Sequence, residues 1–355
     1  MSKQTKFDKR LGSIPSEIVT KIARIDELKG QWSVSVNLSP YLLGRLKRSV
    51  LITSTGASTR IEGAKLSDEN VEKLIQGIAM QKFADRDLQE VRGYYELLQN
   101  VFEAWDTIKF SENTIKHFHQ ELLKYVEKDR LHRGKYKSRE NQVEMIDEKG
   151  RRIGILFKTT PAYLTPKYMQ ELAEWTTQAL EKNKCHPLLL IANFLVEFLN
   201  IHPFEDGNGR LSRILTNLFL LKSGYLYMSY VSHEKLIEDK KPAYYMALRK
   251  SQKTFGTKEE NIIDWLNFFL DIILIQAKEV INLVSSENIE TILSSKQLAV
   301  WNYLQSVAEV TPQEIANKTG VARSTVNKAV LKLLTLKKIS RFGLARSVRY
   351  KISGK

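Results

Sequence analysis

Between two apolar stretches lies His202-Pro203-Phe204-Glu205-Asp206-Gly207-Asn208-Gly209-Arg210, with Arg213 three residues on. His202 is the one group here able to take a proton near neutral pH, and Asp206 is a hard oxygen ligand suited to Mg2+ that bridges phosphates. Pro203 stops the preceding helix near Ile201, while Gly207 and Gly209 let the backbone turn tightly and approach a ligand. A helix is expected from about Arg210, with Ile214, Leu215, Leu218 and Phe219 toward the core. Its unpaired N–H groups and positive dipole end then point into the loop, which makes an anion site. Arg210 and Arg213, three apart on one helical face, add two permanent cations. The pattern reads as a phosphate cradle with a base and a metal ligand beside it. A cap followed by a turn would explain any one of these residues, but not all of them in this order.

The elements that must position this loop are almost all helical over the first 290 residues. Residues 66–78 open with Ser67, Asp68 and Glu69 and carry Val71, Leu74 and Ile75 on one face; residues 88–105 repeat the pattern with Val91, Tyr94, Tyr95, Leu98 and Phe102. Further helices are expected at 112–126, 166–181, 187–199, 211–221, 242–250 and 262–284. The exception is residues 141–158, where β-leaning runs at 142–146 and 152–157 flank Asp147-Glu148-Lys149-Gly150, the chemistry of a hairpin turn. A lone hairpin in a helical domain is a candidate for a job other than core building. Residues 285–295, rich in serine, read as a linker or as the end of a long helix.

His202 to Arg213, as His-Pro-Phe-Glu-Asp-Gly-Asn-Gly-Arg-Leu-Ser-Arg, resembles the complete active-site motif of Fic-domain proteins. The resemblance implies an all-α fold, a Fic-type helical bundle with one β-hairpin flap, and an enzyme that transfers AMP from ATP to a Ser, Thr or Tyr hydroxyl of a target protein. It makes His202 the general base and Asp206 the Mg2+ ligand. Gly207, Asn208 and Gly209 become the anion hole, Arg210 a phosphate support, and Arg213 the grip on the γ-phosphate. Family members that phosphorylate depart from the motif typically at its final glycine; Gly209 is present, which favours AMP transfer. ATP with Mg2+ is therefore the expected substrate pair.

Ser58-Thr59-Arg60-Ile61-Glu62-Gly63 resembles the family's inhibitory motif in the class where it precedes the active-site loop. There the glutamate pairs with the second motif arginine, here Arg213, and denies it to the γ-phosphate; one guanidinium cannot give the same fork to a carboxylate and a phosphate. Ser58, Glu62 and Gly63 are the residues that match, although Glu62 alone could be an ordinary helix-surface carboxylate. In some members this glutamate also helps remove AMP from modified targets. Tyr244-Tyr245 resembles the pair that packs on adenine, with Tyr245 favoured for the pocket and Gln252 as its polar partner. Ile153, Gly154, Ile155, Leu156 and Phe157 would form the target-binding edge of the flap, pairing by backbone with an extended segment. The flap departs from the family at Thr159-Thr160-Pro161, where a Pro-Pro pair is expected. Family members often regulate themselves by dimerising, so a homodimer is among the expected states.

The chain has 55 Lys and Arg against 40 Asp and Glu, a net charge of +15. Residues 291–355 hold twelve of the basic residues and only Glu309 and Glu314, so about two thirds of the excess lies in a separate basic module. Within it, residues 311–330 read as helix-turn-helix, with Thr319-Gly320-Val321 as the turn and Val326, Val330 and Leu333 packing the second helix. Residues 339–342 and 348–352 around Gly343 read as the wing of a small winged helix-turn-helix domain. Arg323, Ser324, Thr325, Asn327 and Lys328 on the polar face are types that contact phosphates and base edges. Such modules bind DNA or mediate protein contacts, and DNA is slightly favoured.

Three regions follow: 1–105 with the inhibitory motif, 106–285 catalytic, and 291–355. The two most apolar runs are broken by Asn193 and Glu197 and by Asp264 and Asp271, so neither reaches the roughly 18 residues a membrane span needs. A polar start and the single Cys185, expected to be an inert buried thiol, point to the cytoplasm. His117, His119, His132, His186 and His233 show no metal-ligand spacing. The rival reading is a DNA-binding transcriptional regulator whose Fic domain only senses nucleotide.

Overall fold

A computed structural model describes residues 4–35, 40–77, 85–146, 152–336, 338–343 and 348–353. The chain divides into two compact units, Met1–Ile281 and Asn282–Lys355.

The first unit is built on α1 (Lys6–Arg10), α2 (Ser16–Ser35), α3 (Pro40–Ile61), α4 (Asp68–Ile75), α5 (Asp85–Ala104) and α6 (Glu112–Leu122). A hairpin of β1 (Gln142–Ile146) and β2 (Arg152–Lys158) comes next. It is followed by α7 (Thr165–Glu181), α8 (Pro187–Ile201), α9 (Asn208–Lys222), α10 (His233–Asp239), α11 (Lys241–Gln252) and α12 (Ile263–Ile292). The chain is mostly helical, as the sequence implies. Periodicity does not locate α2 and α3, because a run such as Ser54 to Thr59, which lies buried in α3, is small and mostly polar and gives no apolar stripe.

Helix α8 is apolar on every face, the signature of a helix with no solvent side. Its residues from Leu188 to Leu199 are all buried. The two polar residues that break its apolar run turn to α1: Asn193 Nδ2 donates to the Phe7 carbonyl at 3.0 Å, and Glu197 takes Lys6 and Arg10, each at 2.7 Å. Trp265 of α12 donates its indole N–H to the Ala192 carbonyl at 2.7 Å. Helix α9 is buried just as thoroughly against α8, α5 and α3. The loop joining α8 to α9 is thus fixed at both ends by the most rigid part of the unit. Among the described residues no helix is long and apolar enough to cross a membrane.

The hairpin pairs Val143 with Phe157, Glu144 with Ile155, Met145 with Gly154 and Ile146 with Arg152, with register shifts that bend it. Ile153 to Phe157 all fall in β2. The expected turn at Asp147 to Gly150 lies outside the described residues.

The second unit contains α13 (Ser295–Gln305), α14 (Pro312–Thr319) and α15 (Arg323–Thr335), then the antiparallel pair β3 (Ile339–Phe342) and β4 (Arg349–Ile352). Its own core gathers Trp301, Leu304, Ile315, Val326, Val330, Leu333 and Tyr350. Thr311 and Glu314 form a capping box at the start of α14, and Gly320, at φ 66°, makes the left-handed turn into α15. Arg323, Ser324, Asn327 and Lys328 are exposed and Thr325 is half-buried. The stretch 285–292, read as linker or helix end, is the last part of α12.

Candidate active site

The loop after α8 starts with a strained residue. His202 caps the helix in the left-handed region, at φ 51° and ψ 62°, where a non-glycine side chain is uncommon and persists only if its surroundings hold it. Its backbone N–H still bonds to the Phe198 carbonyl at 2.9 Å, and its ring Nδ1 lies 3.3 Å from the Leu199 carbonyl. Donation from Nδ1 selects the tautomer whose lone pair is on Nε2. Burial, reinforced by the Lys137 ammonium, pulls the His202 pKa down to about 4, so the imidazole is neutral at pH 7 and able to accept a proton.

Asn208 closes the loop on itself: its Oδ1 accepts from the Phe204 N–H at 2.9 Å and its Nδ2 donates to the Phe204 carbonyl at 2.8 Å. Gly207, at φ 81°, is the N-cap, so α9 begins two residues earlier than expected and its first N–H groups open directly onto the loop. A cleft with about 600 Å³ of empty space lies in front of it, lined among others by Glu62, His202, Asp206, Gly207, Gly209, Tyr245 and Gln252. Gln252 is 7% exposed and both its amide oxygen and nitrogen lack a hydrogen-bond partner, so a buried donor and acceptor wait at the cleft wall. Tyr244 lines the cleft together with Tyr245, but it also packs edge-on against Trp265, 5.9 Å between ring centres, and is the more buried of the pair.

The two arginines turn to different helices. Arg210 is 2% exposed and points back to α5, where Nη1 meets Glu90 at 2.7 Å while Nη2 meets Asp206 at 2.8 Å. It therefore orients Asp206. The 100° step per residue turns Arg213 toward α3 instead. Its Nε donates to Ser58 Oγ at 2.8 Å, and its Nη2 to the Ser58 carbonyl at 2.9 Å and to Glu62 Oε1 at 2.7 Å. Ser58 and Glu62 stand one turn apart at the end of α3, and Gly63, at φ 107°, takes the chain out of the helix. The spacing Ser-x-x-x-Glu-Gly thus has a mechanical cause, two contacts to one guanidinium followed by a turn. A Cβ at Gly209 would collide with the Glu62 carboxylate, so glycine is what allows the pairing.

Asp206 carries three donors: Arg210, Arg86 at 2.9 Å and the Gly207 N–H. Burial would raise its pKa, yet these groups hold it below the usual carboxylate value and the side chain stays ionised. Among the described residues no cluster of three His, Cys, Asp or Glu could hold a metal alone. A single ionised carboxylate in a phosphate-sized cleft nonetheless fits Mg2+, which is commonly held by one or two carboxylates plus substrate phosphates.

Sequence reasoning missed several residues that hold the loop. His119 stacks on Phe204 with ring centres 3.8 Å apart; its Nε2 donates to the Asp206 carbonyl at 3.0 Å and its Nδ1 accepts from the Gly134 N–H at 2.9 Å. Lys137, 3% exposed, donates to Asn141 Oδ1 at 2.7 Å, Thr159 Oγ1 at 2.9 Å and the Ile201 carbonyl at 3.0 Å. All three of its protons are used, and they tie the base of the hairpin to the end of α8 one residue before His202. Burial brings this amine down to about 8. Thr159, which stands where the family has proline, supplies one leg of that clasp and donates to the Asn141 carbonyl at 2.7 Å.

Cys185 is only half-buried, less than expected; burial still pushes its thiol up to about 11, so it is not a reactive thiolate.

His119 and His233, 1% and 3% exposed, are both pulled down to about 4 by burial. Between pH 6.5 and 4 the unfolded chain binds more protons at these positions than the folded one, so stability falls as pH falls through that window. Each costs nothing at neutral pH and on the order of 3 kcal/mol once the pH has fallen to about 4. Thermal midpoints measured at pH 7.5 and pH 5 should drop by several degrees; a flat profile would show that these rings are not held neutral.

Residues 109–220 match the family model described as Fic/DOC family. A probable protein adenylyltransferase of Aquifex aeolicus is 28% identical over 194 residues, 52% of each chain. The protein adenylyltransferase Fic of Drosophila mojavensis is 40% identical over 57 residues, 16% of this chain and 11% of that one. The chain thus spans about half the length of the first relative and far less of the second. In fold, it is similar to the crystal structure of a Fic family protein from Desulfovibrio desulfuricans, with TM-score 0.63 and 24% identity, covering 97% of this chain and 98% of that one.

Proposed function

Residues 109–220 of this chain are a Fic/DOC family domain, and from that premise we propose that the protein is an adenylyltransferase, moving AMP from ATP to a Ser, Thr or Tyr hydroxyl of a target protein. One observation carries the reading: a single cleft gathers a neutral histidine, an ionised aspartate, the open N-terminus of α9 and the Tyr245 and Gln252 side chains. His202 Nε2 takes the proton of the attacking hydroxyl. Its oxygen bonds to the α-phosphorus as the bond from that phosphorus to the β-bridging oxygen breaks, and pyrophosphate leaves. The N–H groups at Asn208 and Gly209 face the phosphates, and Asp206, held by the Gly207 N–H, would hold Mg2+, which neutralises their charge. Tyr245 and the amide of Gln252 receive the base. The strand from Ile153 to Phe157 offers backbone to an extended target segment, with Lys137 holding the hairpin to the catalytic turn.

Glu62 is the brake, because it occupies the arginine that the γ-phosphate would need. Its place in the same cleft as His202 also supports removal of AMP from modified targets. Label from ATP carrying the isotope on the α-phosphate should be retained by protein, and label on the γ-phosphate should not; the reverse pattern identifies a kinase.

A second role follows from the tail. The exposed face of α15, Arg323, Ser324, Asn327 and Lys328 with Thr325 beside it, supports a winged helix that binds DNA. Duplex DNA titrated with the full chain at rising salt should lose affinity with a log–log slope of about −0.9 per phosphate contact. Binding that ignores salt, or none at low salt, leaves the tail as a protein-contact module and removes the regulator reading.

A further inference from the structure

Arg86, the second residue of α5, belongs to neither the motif loop nor the inhibitory helix, yet its guanidinium reaches into the catalytic loop. Nη2 lies 2.9 Å from Asp206 Oδ2 and Nε lies 2.8 Å from Glu90 Oε1. Glu90 also holds Arg210, which grips the same Asp206 oxygen. The two arginines differ in freedom. Arg210 is buried between its carboxylates, whereas the Arg86 side chain is 45% exposed. Arg86 also has somewhere else to go: Asp129 Oδ2 stands 3.7 Å away, is buried, and has no hydrogen-bond partner. A small swing would satisfy that oxygen while the bond to Glu90 is kept.

We propose that Arg86 tunes metal binding: it sits on the Asp206 carboxylate beside Arg210, and a swing to Asp129 takes its charge off that carboxylate when a divalent cation binds. This rests on the reading that Asp206 is the metal ligand. Arg210 stays on the same Asp206 oxygen, so Arg86 adds a second positive charge beside the metal's ligand, and metal affinity is lowered by whatever holds Arg86 there. The site then carries the inverse charge pattern of its substrate. A carboxylate at the end of α3 occupies the γ-phosphate's arginine, and a guanidinium from α5 occupies the metal's aspartate. Arg86 is a positioning residue and takes no part in the chemistry.

Mn2+ can be titrated into the full chain saturated with ADP and followed by its EPR signal, so no turnover is read. Arg86→Gln should lower the Mn2+ dissociation constant by about three- to tenfold, the scale of one partly exposed ion pair. Arg86→Lys should fall nearer the wild type. Asp129→Asn, which removes the refuge, should raise the constant, and should have no effect once Arg86 is Gln. ADP affinity in EDTA should stay the same in all of them, a readout that a merely structural role would not spare. Mn2+ binding that Asp206→Asn abolishes but that Arg86→Gln leaves unchanged or weakens overturns the inference alone. Mn2+ binding indifferent to Asp206→Asn overturns the metal assignment, and the inference with it.

Discussion

Replacing Glu62 with glycine should raise automodification by about ten- to a thousandfold, at roughly 1.4 kcal/mol of lost pairing per decade. The size follows from where the pair sits. Arg213 is 2% exposed and its fork is divided between Ser58 and Glu62, so ATP must displace a carboxylate already in place. Without Glu62, Arg213 stays oriented by the Ser58 hydroxyl and carbonyl and can turn the rest of its fork to a phosphate. Gly209 already leaves the space, since the carboxylate lies against its Cα. The quantity to follow is label incorporated into the chain from α-labelled ATP. If it does not change, Glu62 is an ordinary helix-end carboxylate and the brake lies elsewhere.

His202→Ala should lower AMP transfer by about two to four orders of magnitude, the usual contribution of a general base, and leave ATP affinity nearly unchanged. In the proposed binding mode the residue contributes chemistry and little binding, because the phosphates would meet backbone N–H groups of α9 and the base would meet Tyr245 and Gln252. Its depressed pKa adds a signature. In kcat/KM, which reports the free enzyme, the acid limb should lie well below the ordinary histidine value of 6.5, toward about 4. Transfer retained by the alanine variant, or ATP binding lost with it, would take the base role from His202.

How much of this the sequence discloses depends on whether a contact is local. The loop from His202 to Arg213 is legible because its chemistry, its turn residues and its helix start lie within twelve residues. The Ser58–Glu62 pair is legible only through resemblance, since its partner Arg213 is 151 residues from Glu62. Arg86 is invisible for a physical reason: with Glu90 four residues on it forms an ordinary helix-surface ion pair in sequence, and only the fold turns that pair inward onto Asp206. His119 and Lys137 are likewise single residues of common type whose partners lie 87 and 64 positions away. Arg210 shows what local spacing leaves open. Three-residue spacing places two cations on one face, but the neighbouring helices, α5 for one and α3 for the other, decide what each cation meets. Thr159 departs from the family pattern without leaving a gap, because its hydroxyl joins the clasp around Lys137.

Transfer of AMP onto a protein hydroxyl is the activity proposed for this cleft. The direct measurement is the intact mass of the Glu62→Gly chain after incubation with Mg2+ and ATP. An increase by one or more AMP groups, absent when His202 is also replaced by alanine, is the predicted result. An increase by phosphate alone, or AMP addition that persists without His202, would contradict the account.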